Sequence, residues 1–324
     1  MNHSPKRAYL GIEIGGTKLQ LVLGDETGKI LERRRLKVNS TEGAAGIRGQ
    51  IQCTLPELMA LAGVAAIGVG FGGPVAWRTG KICRSHQVEG WSEFDLRGWL
   101  EGLAGVPVFV DNDANVATLG EAKHGAGVGF DPVVYVTLGS GVGGGLVSDG
   151  RIYHGTAPGE AEIGHIRLDR AGTIVEARCS GWAVDAKIRA LKASEPSSLL
   201  CRMMDEKAGG EARHLAPALA KHDPAALRIL QETTEDLAFA LSHVTHLFHP
   251  QIVILGGGLS GVGDPLRAAV EHALPRFVMD AFAPGPEIAL ARLQEDAVPV
   301  GALELARTRL EAGDSSPKMP DSDP

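Results

Sequence analysis

Residues 111–145 constrain this chain more than any other stretch. They read DNDAN from Asp111 to Asn115, then Gly120-Glu121, then VTLGSGVGGG ending at Gly145. An acidic, amide-rich turn lies between an apolar strand and a helix-like run. A second strand follows and breaks into dense glycine. Asp and Asn are ordinary helix caps, and one of Asp111, Asn112 and Asp113 is expected to cap the helix running through 116–123. Four polar residues in five positions exceed what a cap requires. A carboxylate at the end of a buried strand is placed to accept a hydroxyl proton, with amides beside it to orient a substrate. The glycines of 139–145 are too dense for one turn, and a loop passing close around phosphates accounts for them better. A dinucleotide fold is disfavoured, because the glycines lead into LVSDGRI, a strand and a turn rather than a helix.

The remaining pattern alternates strands and helices. Apolar runs at 9–14, 19–23, 30–38, 64–71, 106–110, 133–138, 251–255 and 288–293 read as strands. Helical patterns occupy 44–61, 95–103, 182–191, 227–248, 265–273 and 298–310, and Pro56 is expected to kink or end the first of them. This is an α/β chain. The near-continuous run 64–71 suits a buried strand and ends in Gly72-Gly73-Pro74, where a ligand can approach the backbone. The first two runs meet at Gly15-Gly16-Thr17-Lys18. That tight hairpin either offers its amides and the Thr17 hydroxyl to phosphate or uses its glycines only to turn. The spacing of a Walker loop is absent.

Three further features each carry two readings. GGGLS at 256–260 follows a strand and precedes a helix, as a nucleotide cradle or as a plain connector. Glu162 and His165 are hydroxyl partners, with His165 also a metal candidate, or else a surface acid and a satisfied histidine. His243, His246 and His249 near one helix end are a metal set or histidines favouring a helix C-terminus.

Size and composition narrow the class. The 324 residues suggest about two domains. The net charge of -7 disfavours nucleic acid held by bulk charge. The 4 cysteines contain no CxxC pair and suggest a reducing compartment. No apolar window reaches roughly 18 residues, and the first residues are too short an apolar run for a signal peptide. A cytoplasmic protein with no membrane partner is expected. Residues 1–7 read as a loose arm, and the tail from 314 is compositionally disordered.

Five ordered motifs now resemble one family, the ROK (repressor, open reading frame, kinase) sugar kinases. GIEIGGTK, DNDAN, VTLGSGVGGGLV, EIGH and ILGGGLS look like its first phosphate, catalytic, second phosphate, sugar and adenosine segments. The resemblance implies a two-lobed actin/hexokinase/Hsp70-like ATPase fold built on ribonuclease H-like repeats. It implies a small lobe at 1–118 plus 297–312, a large lobe with nucleotide and dimerisation surfaces at 119–296, and a disordered tail at 313–324. The implied activity is ATP-dependent phosphorylation of a hexose, foremost glucose at its 6-hydroxyl. Fructose, mannose or an N-acetylhexosamine, or a non-catalytic sugar sensor, are the alternatives. Asp113 is similar to the catalytic base, and Gly72, Asn112, Glu162 and His165 join it around the sugar. Glu13, Gly15, Gly16, Thr17, Lys18, Gly139, Ser140, Gly141, Gly256 and Gly257 would receive ATP. Mg²⁺ would come with the ATP, near Glu13, and a homodimer is implied.

Three departures matter. Glu13 stands where the family usually has Asp. Only Cys179 remains of a cysteine-rich zinc loop, so no structural zinc is expected, since one Cys and one His cannot close a four-ligand site. Gly181 replaces a sugar-contacting Glu, whose role would fall to Glu176 or Asp185 if it is kept. Some relatives carry a winged helix before the kinase-like part. The first phosphate strand starts near Tyr9 and leaves no room for one, which favours an enzyme over a DNA-binding module.

Overall fold

The structure is a computed structural model and describes residues 7–83, 88–157, 159, 161–205 and 209–313. In chain order the first elements are β1 (Ala8–Ile14), β2 (Lys18–Asp25), β3 (Ile30–Lys37), α1 (Gly43–Met59), β4 (Val64–Phe71), β5 (Val75–Ala76) and β6 (Lys81–Ile82). Then come α2 (Leu96–Ala104), β7 (Val108–Asn112), α3 (Asp113–His124), β8 (Val133–Leu138), β9 (Val142–Ser148) and β10 (Arg151–Ile152). Short helices follow: α4 (Val175–Cys179), α5 (Gly181–Ser194), α6 (Leu199–Arg202) and α7 (Leu215–Leu219). The chain closes with α8 (Pro224–Phe248), β11 (Ile252–Gly256), α9 (Asp264–Ala273), β12 (Glu287–Leu290) and α10 (Ala297–Glu311).

Two compact units result. The first holds Met1–His124, Ile152–Glu160 and Glu295–Pro324, and the second holds Gly125–Arg151 and Ala161–Gln294. The border expected at 118 falls inside α3, which the first unit keeps whole. That unit also takes Ile152–Glu160, from the middle of the expected large lobe.

The first unit is a five-stranded sheet in the order β3-β2-β1-β4-β7. β1, β2 and β3 are antiparallel neighbours, and β4 and β7 add in parallel to β1. Strand alternation puts Leu10, Ile12, Ile14, Ile67, Val69 and Phe71 into one core with α1 and α2. Between them, Gly11, Gly68 and Gly70 leave room on the other face. A Cβ on Gly11 would lie 2.8 Å from Pro299 O, and one on Gly68 would lie 1.9 Å from Ala302 O. So α10 rests directly on the sheet backbone, and the glycines within these strands are there for its approach. α1 continues through Pro56 to Met59 instead of breaking there. Pro56 lies in the last turn, where few downstream bonds depend on it.

Glu304 of α10 is buried and ties α10 to the end of α3. Its carboxylate accepts Arg307 Nη2 at 2.6 Å and Nε at 3.0 Å, and meets His124 Nε2 at 3.2 Å. Burial alone would raise its pKa, but the His124 and Arg307 hydrogen bonds outweigh burial and hold it below the ordinary 4.5. A lowered folded-state pKa gives stability that is complete above the ordinary value and lost as pH falls from there through the lowered value. The stability difference between wild type and Glu304→Gln, from urea unfolding, is therefore expected to shrink as pH drops below 4.5. A difference independent of pH would contradict this.

The second unit repeats the plan with the order β10-β9-β8-β11-β12. β8 and β9 form the hairpin, and β11 and β12 add in parallel. Asp223 caps α8, its Oδ1 accepting Ala226 N at 2.9 Å, and Pro224 takes the first helical position. His249 ends α8 in the left-handed region at φ 47°. The buried face of α8, including Ile229, Leu237, Leu241 and Val244, joins β8 and β11 in the core. The last strand, expected at 288–293, is shorter than expected. Among the described residues no helix is long and apolar enough to cross a membrane. The expected disordered tail lies, from 314 onward, outside the described residues, as do 1–6 of the expected arm.

Candidate active site

In the first unit the ends of β1, β4 and β7 carry the candidate residues. β1 and β2 turn through Gly15, Gly16 and Thr17, with Gly15 N donating to Lys18 O at 2.9 Å. Glu13 sits opposite Gln20 across the hairpin. Its Oε2 accepts Gln20 Nε2 at 2.7 Å and its Oε1 pairs with Lys18 Nζ at 3.1 Å. Burial pushes the Glu13 carboxyl above its ordinary range, and Lys18 and Gln20 offset only part of that. Both oxygens are thus engaged inside the hairpin. The ion pair holds Lys18 Nζ against Glu13.

β4 ends against this turn, because Gly72 N donates to Ile14 O at 2.8 Å. A Cβ on Gly72 would lie 3.4 Å from Asp113 Oδ2 and 3.6 Å from Gly15 Cα. Gly72 therefore lies between the Asp113 carboxylate and the Gly15-Gly16-Thr17 turn. Asp113 opens α3, where the unpaired amides of a helix N-terminus favour an anion. Asn112 supplies the cap: its Oδ1 accepts Ala114 N at 2.9 Å and Asn115 N at 3.3 Å. Its Nδ2 donates to Gly73 O at 3.2 Å. The cap was expected among three residues, and it falls on the one also assigned to the sugar.

Two residues gathered at Asp111 carried no sequence signal. His154 Nε2 meets Asp111 Oδ2 at 2.6 Å, and its ring stacks on Trp77 with centroids 4.1 Å apart. The pairing spans 43 positions, so no local pattern announces it.

In the second unit the β8–β9 turn is Gly139-Ser140-Gly141, closed by Gly139 N donating to Gly141 O at 2.9 Å. The glycine loop expected to run to Gly145 is shorter. Gly143, Gly144 and Gly145 lie in β9, paired with Thr137, Val136 and Tyr135. Glu176 covers this turn, its Oε2 accepting Val142 N at 2.9 Å, and a Cβ on Gly141 would strike that carboxylate. Asp185 accepts Gly210 N at 3.0 Å and Ala212 N at 2.6 Å. Both stand-ins for the missing sugar-contacting Glu thus accept backbone amides from other segments. Glu162 and His165 flank a single tight turn, Ile163–His165, with His165 Nδ1 3.4 Å from Glu162 Oε2 and both side chains exposed. Gly164 pins this turn against β9, since a Cβ there would lie 2.1 Å from Val142 O.

Gly256 and Gly257 are closed on their Cβ side. A Cβ on Gly256 would lie 2.0 Å from Tyr135 Oη, and one on Gly257 2.6 Å from Leu138 N. Gly258 faces open space. A separate tight turn, Gly258–Val262, stands between these glycines and α9, so the helix does not start at them.

The residues present do not fit a structural zinc. Cys179 is fully buried, its Sγ donates to Thr233 O at 3.5 Å, and burial pushes the thiol up to about 12. Zinc takes thiolates. Among the described residues no three His, Cys, Asp or Glu side chains come together to hold a metal. The histidine trio has other surroundings: His246 Nε2 accepts Met279 N at 3.1 Å, and His249 packs edge-on against Phe282. Iodoacetamide on the native protein at about pH 8 is expected to modify the exposed Cys53 first and Cys179 last. Mass spectrometry reads the order, and early labelling of Cys179 would contradict the buried thiol.

Residues 9–309 match the ROK family. A glucokinase of Thermotoga maritima is 31% identical over 314 residues, covering 94% of this chain and 99% of that protein. The crystal structure of a ROK family glucokinase from Streptomyces griseus, in complex with glucose and AMPPNP, superposes with a TM-score of 0.80. It is 31% identical and covers 93% of this chain and 99% of that one. A ROK family transcriptional regulator, a homolog of E. coli MLC protein, shares the fold at a TM-score of 0.84 and 20% identity, covering 97% of this chain and 81% of that one. The two repeated sheets are those of the actin/hexokinase ATPase fold, and the chain belongs to the ROK family.

Proposed function

We propose that this chain is an ATP-dependent hexose kinase that phosphorylates glucose at its 6-hydroxyl. One observation carries the reading: Gly72 lies between the Asp113 carboxylate and the Gly15-Gly16-Thr17 turn. A proton acceptor and a phosphate-type cradle then serve one reaction. The sugar oxygen attacks the γ-phosphorus, its proton passes to Asp113, and the bond to the β–γ bridging oxygen breaks to release ADP. An alcohol is far less acidic than a carboxylic acid, so Asp113 acts as the new bond forms rather than before it. Positioning and electrostatics supply most of the rate in phosphoryl transfer.

In this reading Thr17 and Lys18 receive phosphate oxygens of Mg·ATP, with Glu13 orienting Lys18. Gly139, Ser140 and Gly141 serve the second phosphate turn. Gly256 and Gly257 shape the nucleotide segment from behind, and Gly258 offers its open side. Asn112, Glu162 and His165 would meet sugar hydroxyls, Asn112 through its remaining amide hydrogen. A cytoplasmic homodimer belongs to the same proposal by family resemblance, and sedimentation velocity tests the dimer.

The test is ADP release from Mg·ATP with glucose, fructose, mannose and N-acetylhexosamines. Glucose is expected to be fastest. Turnover confined to another hexose would keep the mechanism and replace the substrate. Sugar binding without turnover would overturn the kinase reading in favour of a sugar sensor.

A further inference from the structure

We propose that His154 is a positioning residue for Asp113, acting through Asp111 at the junction of β7 and α3. The inference rests on the kinase reading above. Asp111 is buried at 3% exposure, and its two oxygens are divided between two tasks. Oδ1 accepts Asn112 N at 2.8 Å and Asn115 Nδ2 at 3.0 Å, which ties the backbone before Asp113 to a side chain after it. Oδ2 meets His154 Nε2 at 2.6 Å. A buried carboxylate oxygen deprived of its donor costs much more than an exposed one. Without His154, Asp111 would turn to find another donor, and that change disturbs its hold on Asn112 and Asn115.

The histidine is itself held. Its ring lies on Trp77 with an interplanar angle of 15°, and the Arg309 guanidinium lies 4.9 Å from the Trp77 ring centroid. The segment that carries His154 is fastened a second time, by Asn115 Nδ2 donating to Gly159 O at 2.9 Å. Asp111 and Asn115 thus each contact both the start of α3 and this segment. The arrangement fixes the direction of the first turn of α3, and Asp113 lies in that turn. A proton acceptor misplaced by about 1 Å loses roughly 100-fold in rate, so a device of this kind acts on chemistry before it acts on nucleotide binding.

The experiment compares His154→Leu with His154→Gln in steady-state kinetics with glucose and Mg·ATP. The two replacements fill similar space, but only Gln can donate from the position of Nε2. His154→Leu is expected to lower kcat by roughly 10- to 100-fold, with KM for Mg·ATP nearly unchanged. His154→Gln is expected to recover most of that loss. Equal kcat in wild type and the Leu variant, or a loss that Gln does not rescue, would overturn the positioning role. If the Leu variant does not fold, Trp77→Ala removes the stacking platform and keeps the donor. A fall in its kcat with KM for Mg·ATP steady supports the proposal, and an unchanged kcat overturns it. Absence of wild-type turnover would be a different failure, that of the kinase reading itself.

Discussion

Asp113→Asn is expected to lower kcat for glucose-dependent ADP release by about 100- to 10,000-fold, the range for loss of a general acid or base. Asn keeps the size of the side chain and removes its capacity to take the hydroxyl proton. The fold is expected to survive, because Asn112 and not Asp113 caps α3. Removing one anion from the first helical turn costs about 0.3–1 kcal/mol. The KM for Mg·ATP should change little, since the interaction lost is made in the transition state. The discriminating result is therefore a large kcat effect in a protein of nearly wild-type melting temperature. A variant retaining more than about a tenth of wild-type kcat would remove Asp113 from the role of base.

Gly301→Val is expected to be the most damaging substitution to stability. A Cβ on Gly301 would lie 1.9 Å from Val116 O and 3.1 Å from Gly120 N. On the facing helix, a Cβ on Gly120 would lie 2.5 Å from Ala297 O and 2.9 Å from Gly301 N. The obstacles are backbone atoms of two helices, which no rotamer change relieves. α10 would have to lift from α3, yet it also rests on β1 and β4 through Gly11 and Gly68. Overpacking of this kind costs about 3 kcal/mol or more, which lowers Tm by roughly 6–12 °C for a unit of about 150–250 residues. The contrasting variant is Gly102→Ala in α2, where a Cβ meets nothing within 4 Å. It is expected to gain about 0.5–1 kcal/mol from helix propensity. Thermal unfolding of the two variants side by side gives opposite signs, and a Gly301→Val protein that melts with the wild type would refute the account of α10.

The candidate site was readable where chemistry and local pattern coincide. Asp113 follows an apolar strand and opens a helix, and both facts are visible in DNDAN. The hairpin at Gly15-Gly16-Thr17 is announced by two apolar runs separated by small residues. Other assignments needed three dimensions. Glu176 and Asp185 look equally available in sequence, yet one covers the β8–β9 turn and the other binds the amides of Gly210 and Ala212. Gly256 and Gly257 look alike in sequence as cradle or connector, and only the structure shows Tyr135 and Leu138 packed against their Cβ side.

The amino-acid sequence by itself determined the α/β alternation, the hairpin at Gly15-Gly16-Thr17, a helix cap among Asp111, Asn112 and Asp113, and the family motifs in their order. These depend on periodicity and on residue types a few positions apart, where the backbone's local preferences act. Tertiary structure alone decided that His154 reaches Asp111, that the glycines of β1, β4 and α3 exist to admit α10, and that Cys179 is sealed beneath Thr233. Each of these joins segments distant in the chain. Their geometry is set by close packing and by the need to give every buried polar atom a partner, and neither requirement leaves a periodic trace in the residues that meet it.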